Sequence, residues 1–136
     1  MDVPVLIITG LVWLIAETTK FLVGLMHGRD RRFFDSGGMP SVHAAVIVGA
    51  TTAISLVEGV GSSLFALGVV VSAIVVHDAV RVRWPLGEQA VRLNRLSQKA
   101  KLPAVPVIRG HRIREVVAGG VYGALLAAAL YRLFWQ

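Results

Sequence analysis

Four long stretches of this chain, 3–16, 39–57, 59–77 and 116–131, contain no Asp, Glu, Lys or Arg. A helix on the surface of a soluble domain must offer water a polar face, and uncharged runs of this length cannot. The charges that exist are clustered: of 22 in 136 residues, five lie in 29–35 and eleven in 81–115. Hydrophobic residues make up 55% and charged residues 16%, against roughly 45–50% and about 25% in soluble domains. Mean hydropathy is +0.69. The apolar content also excludes a disordered chain. The pattern implies an all-α integral membrane protein, a helical bundle forming a single domain over 1–136.

Crossing a bilayer takes about 20 apolar residues. The sequence predicts four spans, at about 3–26, 39–57, 61–80 and 115–134, the first accommodating Glu17 and Lys20. Residues 58–60 then make a tight hairpin between the second and third. The basic residues set the orientation: three lie in loop 28–38, nine in loop 81–114, and Arg132 alone near the C-terminus. Twelve against one places both basic loops at the cytoplasmic face of a multi-pass cell-membrane protein, with both termini outside. This asymmetry also accounts for the net charge of +6 without any nucleic-acid partner. The chain has no Cys, which removes disulfides, thiolate metal sites and Cys nucleophiles. Its N-terminus lacks the basic region and small-residue cleavage site of a removable signal peptide.

Within the long loop, Leu86, Ala90 and Leu93 fall on one helical face and Arg92, Arg95 and Lys99 on another. This spacing predicts a short amphipathic helix, lying either on an anionic leaflet or against the spans. Pro103 and Pro106 then impose an extended passage. Trp84, Tyr131 and Trp135 fall near span ends, as interfacial aromatics do. Ala45-x3-Gly49-x3-Ala53 and Gly119-x3-Gly123-x3-Ala127 form small-residue ridges that permit close helix contact.

Polar residues inside spans are costly and are functional candidates by default. Trp13, Glu17, Lys20, Gly24 and His27 recur at helical spacing and share a face. Glu17 and Lys20 also suit a self-neutralising pair. In Ser36-Gly37-Gly38-Met39-Pro40-Ser41-Val42-His43 the glycines free the backbone, and Pro40 suits the first helical position. The following amides converge where an anion is favoured. Ser41 adds a hydroxyl and His43 a proton donor. Downstream, His111 and Glu115 stand four apart, so a carboxylate can hold one ring nitrogen and leave the other free as nucleophile or base. A histidine at a helix start beside a first-turn glutamate is also a common structural arrangement.

Taken together, Pro40-Ser41-x-His43 and His111-x3-Glu115-Val116-x-Ala118-Gly119 resemble the second and third motifs of the type 2 phosphatidic acid phosphatase superfamily. The divergent branch of that superfamily is the nearer likeness. Residues 34–43, His77-Asp78-Ala79, Arg83 and Gly87-Glu88-Gln89-Ala90 are similar to it in order and spacing, over nearly the whole chain. The superfamily hydrolyses phosphate esters without a metal, through a phosphohistidine. The resemblance implies His111 as the nucleophile, Glu115 in the place of its usual Asp, and His43 as the acid that protonates the leaving alcohol. It implies that Ser41, the amides near Gly38, and Lys20 hold phosphate oxygens, with no cofactor. The chain departs from the pattern at three places. His27-Gly28 stands where the first motif has Arg-Pro, Val42 stands where the second has Gly, and 105–109 lacks the Ser-Arg of the third. The phosphate-binding arginines are therefore expected elsewhere, Arg83 first, then Arg81 and Arg109. Asp78, at a span end, can orient an Arg or bind a cation.

The expected function is a membrane phosphatase acting on a lipid phosphate such as an isoprenoid phosphate or phosphatidate. The alternatives are a non-catalytic lipid-phosphate binder or transporter, and a metal-dependent hydrolase using Asp78, Glu88, Glu115 and the histidines. Gln89 belongs to the wider polar set. Four spans make a thin bundle around a buried phosphate, which favours a homodimer.

Overall fold

The computed structural model describes residues 3–26, 39–108 and 110–135. The described residues are mostly helical, with no strand among them: α1 Val3–Met26, α2 Val42–Glu58, α3 Ser63–Asp78, a π-helical turn Ala79–Arg83, α4 Trp84–Lys99 and α5 Ile113–Trp135. Three helices are long and apolar enough to cross a membrane: α1, α5, and the continuous run through α3, the π turn and α4. The fourth expected span, α2, has 17 residues, or about 26 Å at 1.5 Å per residue. That is slightly less than the hydrocarbon core of about 30 Å.

The central helix is α2. α2 packs against α1, α3 and α5, and its small residues explain how. Ala45, Gly49 and Ala53 on α2, and Gly119, Gly123 and Ala127 on α5, are all buried, so the two ridges mesh. A Cβ added at Gly123 would strike the backbone carbonyl of Ala45. Ile8, Val12 and Ala16 of α1 complete the core. Apolar burial drives little inside a bilayer, where such contacts and interhelical hydrogen bonds hold helices together. Bonds of the latter kind are present: Thr19 to Tyr122 joins α1 to α5 at 2.8 Å, and Thr51 to Ser72 joins α2 to α3 at 2.9 Å, with Ser72 also 3.4 Å from the Ile47 carbonyl. α3 buries no residue and turns most of its surface outward. Gly123→Ala is expected to destabilise the bundle by about 1–3 kcal/mol, the usual cost of overpacking. Gly120→Ala should not, since its nearest neighbour, Val48, lies at an ordinary 3.4 Å. Thermal unfolding of the two variants in detergent checks the contrast.

Local chemistry differs from the sequence reading at two joints. Pro40 is not the first residue of α2; Ser41 is the N-cap and Val42 the first helical residue. The chain also does not leave the helix at 80. It winds through the π turn into α4, so the expected loop 81–114 is helical as far as Lys99. Pro85 supplies the physical reason for the π turn. Its ring cannot donate to the carbonyl four residues back and clashes with it, and a local widening relieves such a clash. Beyond α4 the chain returns extended. Asn94 donates to the Val105 carbonyl at 2.9 Å and accepts from its N–H at 2.8 Å, while the Gly110 N–H donates to the Arg83 carbonyl at 3.2 Å. Eleven helical residues and five extended ones both span roughly 16–17 Å, so the segment runs straight back along α4.

Candidate functional site

Antiparallel neighbours bring four chain segments to one end of the bundle: the last turns of α1, the start of α2, the end of α3, and the approach to α5. The Ser41 N–H donates to the Glu115 carbonyl at 3.1 Å and ties the starts of α2 and α5 together. A cavity of about 650 Å³ opens there. Its polar wall holds Glu17 and Lys20 from α1, His43 from α2, Asp78 and Arg83 from the helix end and π turn, and His111. About one turn deeper the wall is apolar, formed by Val46, Ile47, Ile74 and Val75 with Trp13.

The two histidines face the same space. Their ring centroids are 6.3 Å apart and the rings are tilted at 57°. His111 is buried, and its Nδ1 lies 3.4 Å from Glu115 Oε2, the oxygen that also accepts from the Arg112 N–H at 3.1 Å. Glu115 is thereby fixed between the helix start and the imidazole. With Nδ1 engaged, Nε2 is the nitrogen left for chemistry. Burial pushes the His111 pKa below the ordinary histidine value, and the hydrogen bond and charge of Glu115 offset this only in part. The imidazole therefore stays neutral, with a free lone pair, to a lower pH than an exposed histidine.

Two cations stand in the wall. Lys20 is buried beside Glu17, with Nζ 3.7 Å from Oε1. Arg83 is more exposed, and its Nε donates to Asp78 Oδ2 at 2.7 Å. Residues five apart lie about 140° apart around an α-helix; the i→i+5 winding of the π turn brings them together. The geometry thus has Asp78 orienting an arginine.

Other expected residues lie elsewhere. Ser41 is fully buried outside the cavity wall, and its hydroxyl accepts from the Ala44 N–H at 3.5 Å. It serves the start of α2 rather than an open anion site. Arg81 is exposed and outside the wall, as is His77. Glu88 and Gln89 sit on α4, away from this cavity; Gln89 lines a separate groove. Gly38, His27 and Arg109, with the rest of loop 28–38, lie outside the described residues. Among the described residues, no group of three or more His, Asp and Glu is spaced to hold a metal ion.

The sequence reading missed Gly110. It lines the cavity, and a Cβ there would collide with the backbone N of Trp84. Only glycine lets the extended segment approach this closely and deliver the next residue, His111, to the cavity. Its place directly before a candidate histidine was the available sign. The Arg112 guanidinium adds to this joint, 5.2 Å from the centre of the Trp84 ring.

The chain belongs to the Divergent PAP2 family, which matches residues 1–126. It is 34% identical to the uncharacterized membrane protein YuiD of Bacillus subtilis (strain 168), in a match covering 73% of each chain. No solved structure matches the chain significantly.

Proposed function

We propose that this protein removes phosphate from a membrane lipid phosphate monoester, of the isoprenoid phosphate or phosphatidate kind, through a phosphohistidine and without a metal. The observation that carries this reading is the placement of His43 and His111 with ring centroids 6.3 Å apart, in a cavity whose wall also holds Lys20 and Arg83. An in-line transfer needs two imidazoles near one phosphorus, and both line the one cavity that would receive the phosphate. His111 Nε2 attacks phosphorus while Glu115 supports the charge that develops on the ring. The ester oxygen departs with the proton of His43. Water then attacks the phosphorus of the phosphohistidine, gives its proton to His43, and frees His111 and inorganic phosphate. Lys20 and Arg83 balance the charge of the phosphoryl oxygens, the largest electrostatic demand of the reaction. The apolar depth of the cavity suits the hydrocarbon part of the lipid. In this reading the site and the basic segments face the cytoplasm, on the asymmetry of Lys and Arg.

A second reading, lipid-phosphate binding without catalysis, draws support from Arg83. Its guanidinium is already engaged by Asp78 at 2.7 Å, which leaves less of it for a transition state. One assay separates the two: phosphate release from a lipid phosphate by the detergent-solubilised protein, with and without EDTA. Release that survives EDTA and is blocked by vanadate, a mimic of five-coordinate phosphorus, supports the phosphatase. Binding without release supports the second reading. Loss on chelation, restored by Mg²⁺, would instead support a metal-dependent hydrolase.

The pH profile follows from His111. The nucleophile must be neutral, so activity falls as pH drops through its pKa, and burial has moved that pKa below the ordinary value. The acid limb of kcat/KM is therefore expected below about 6.5, the reference value for histidine. Glu115 raises the His111 pKa, so Glu115→Gln should shift this limb to still lower pH while slowing turnover. A limb that moves upward in Glu115→Gln would contradict the assignment.

A further inference from the structure

A second groove of about 650 Å³ lies between α4 and the returning segment, outside the catalytic cavity. At 100° per residue, Leu86, Leu93, Leu96, Gln89 and Ala90 fall within one arc of α4, and all line the groove. Val105, Pro106 and Ile108 form its far wall, held there by the paired hydrogen bonds of Asn94 to Val105. Its floor is left open: Leu86 is 58% exposed and Leu96 62%. On the side away from the returning segment, Arg92, Lys99 and Arg95 follow one another around the helix. No ion pair among the described residues occupies any of the three. The groove is therefore an apolar trough with a row of available cations along one edge, on a helix that continues directly from a membrane-crossing one.

We infer that this groove holds an anionic phospholipid of the surrounding leaflet, its hydrocarbon on the Leu86–Leu93–Leu96 floor and its headgroup against Arg92, Arg95 and Lys99. Charge complementarity selects this occupant: a zwitterionic lipid fits the floor equally well but leaves the cation row unanswered. The site is separate from the substrate cavity. Ile108 is common to both walls, so a lipid seated here braces the segment that delivers Gly110 and His111. Each Lys or Arg near an anionic leaflet favours binding about fivefold. Three give a preference of about a hundredfold for phosphatidylglycerol over phosphatidylcholine.

The chain has no Cys, so a single introduced thiol reports on the groove whether or not the protein is an enzyme. The full chain carrying Leu93→Cys is placed in nanodiscs of phosphatidylcholine, with or without phosphatidylglycerol, and exposed to a water-soluble maleimide. Leu86→Cys reads the same floor if the first variant does not fold, and Gln98→Cys serves as an exposed control. Phosphatidylglycerol is expected to slow labelling of the floor thiol but not of the control. Replacing Arg92, Arg95 and Lys99 together by Gln is expected to abolish that slowing. Labelling indifferent to phosphatidylglycerol, or slowing that persists in the triple variant, overturns the inference. So does protection that rises with protein concentration at fixed lipid, which would make the occupant a second copy of the chain.

Discussion

His111→Ala is expected to lower phosphate release from a lipid phosphate by on the order of a millionfold, the scale of losing a covalent nucleophile. The loss should be the same on every substrate, because no leaving group repairs the absence of the attacking nitrogen. It should also occur without loss of fold. His111 precedes α5 and makes one side-chain hydrogen bond, to Glu115, while the α2–α5 contact is made by Ala45, Gly119 and Gly123 further on. Steady-state rates, beside a thermal unfolding curve of the same preparation, check both parts. A variant that keeps most of its rate would move the nucleophile elsewhere.

His43→Ala is expected to behave differently. It removes only the proton for the departing oxygen, a contribution of about 10²–10⁴-fold. An ester with a good leaving group needs no such proton. The variant should therefore lose about 10²–10⁴-fold on a lipid alcohol phosphate and far less on a nitrophenyl phosphate. His43 is exposed at the first turn of α2, so its replacement leaves no void in the core. Equal losses on the two substrates would mean that His43 positions the phosphate rather than protonating the alcohol.

The membrane class of this chain was legible because charge is so expensive in lipid. The uncharged run after Glu115 predicts α5 almost residue for residue, and the small-residue ridges at Ala45 and Gly119 mark faces where helices can approach closely. The candidate histidines were legible for a related reason: a polar residue in an apolar chain stands out, and both lie in short motifs with chemical sense. What the sequence hid is geometric. Pro85 normally ends a helix, and nothing in the one-dimensional pattern says that a π turn will carry the chain through it. That same turn turns Arg83 toward Asp78. Ser41 illustrates the opposite error. Its hydroxyl type fits an anion site and a helix cap equally well, and only packing shows that it is sealed beneath α2 and α5. Gly110 carried only a weak sign, because a glycine in a loop has many explanations, and its reason is a backbone contact with Trp84 from a distant stretch of chain.

The central claim is the covalent intermediate, and rapid denaturing quench of the protein during turnover of a radiolabelled lipid phosphate tests it most directly. With EDTA present throughout, label is expected on His111, acid-labile and alkali-stable as a phosphoimidazole is, and located there by mass spectrometry of the digested chain. Phosphate release without any labelled protein, or release that stops in EDTA, or label on a residue other than His111, would contradict the account.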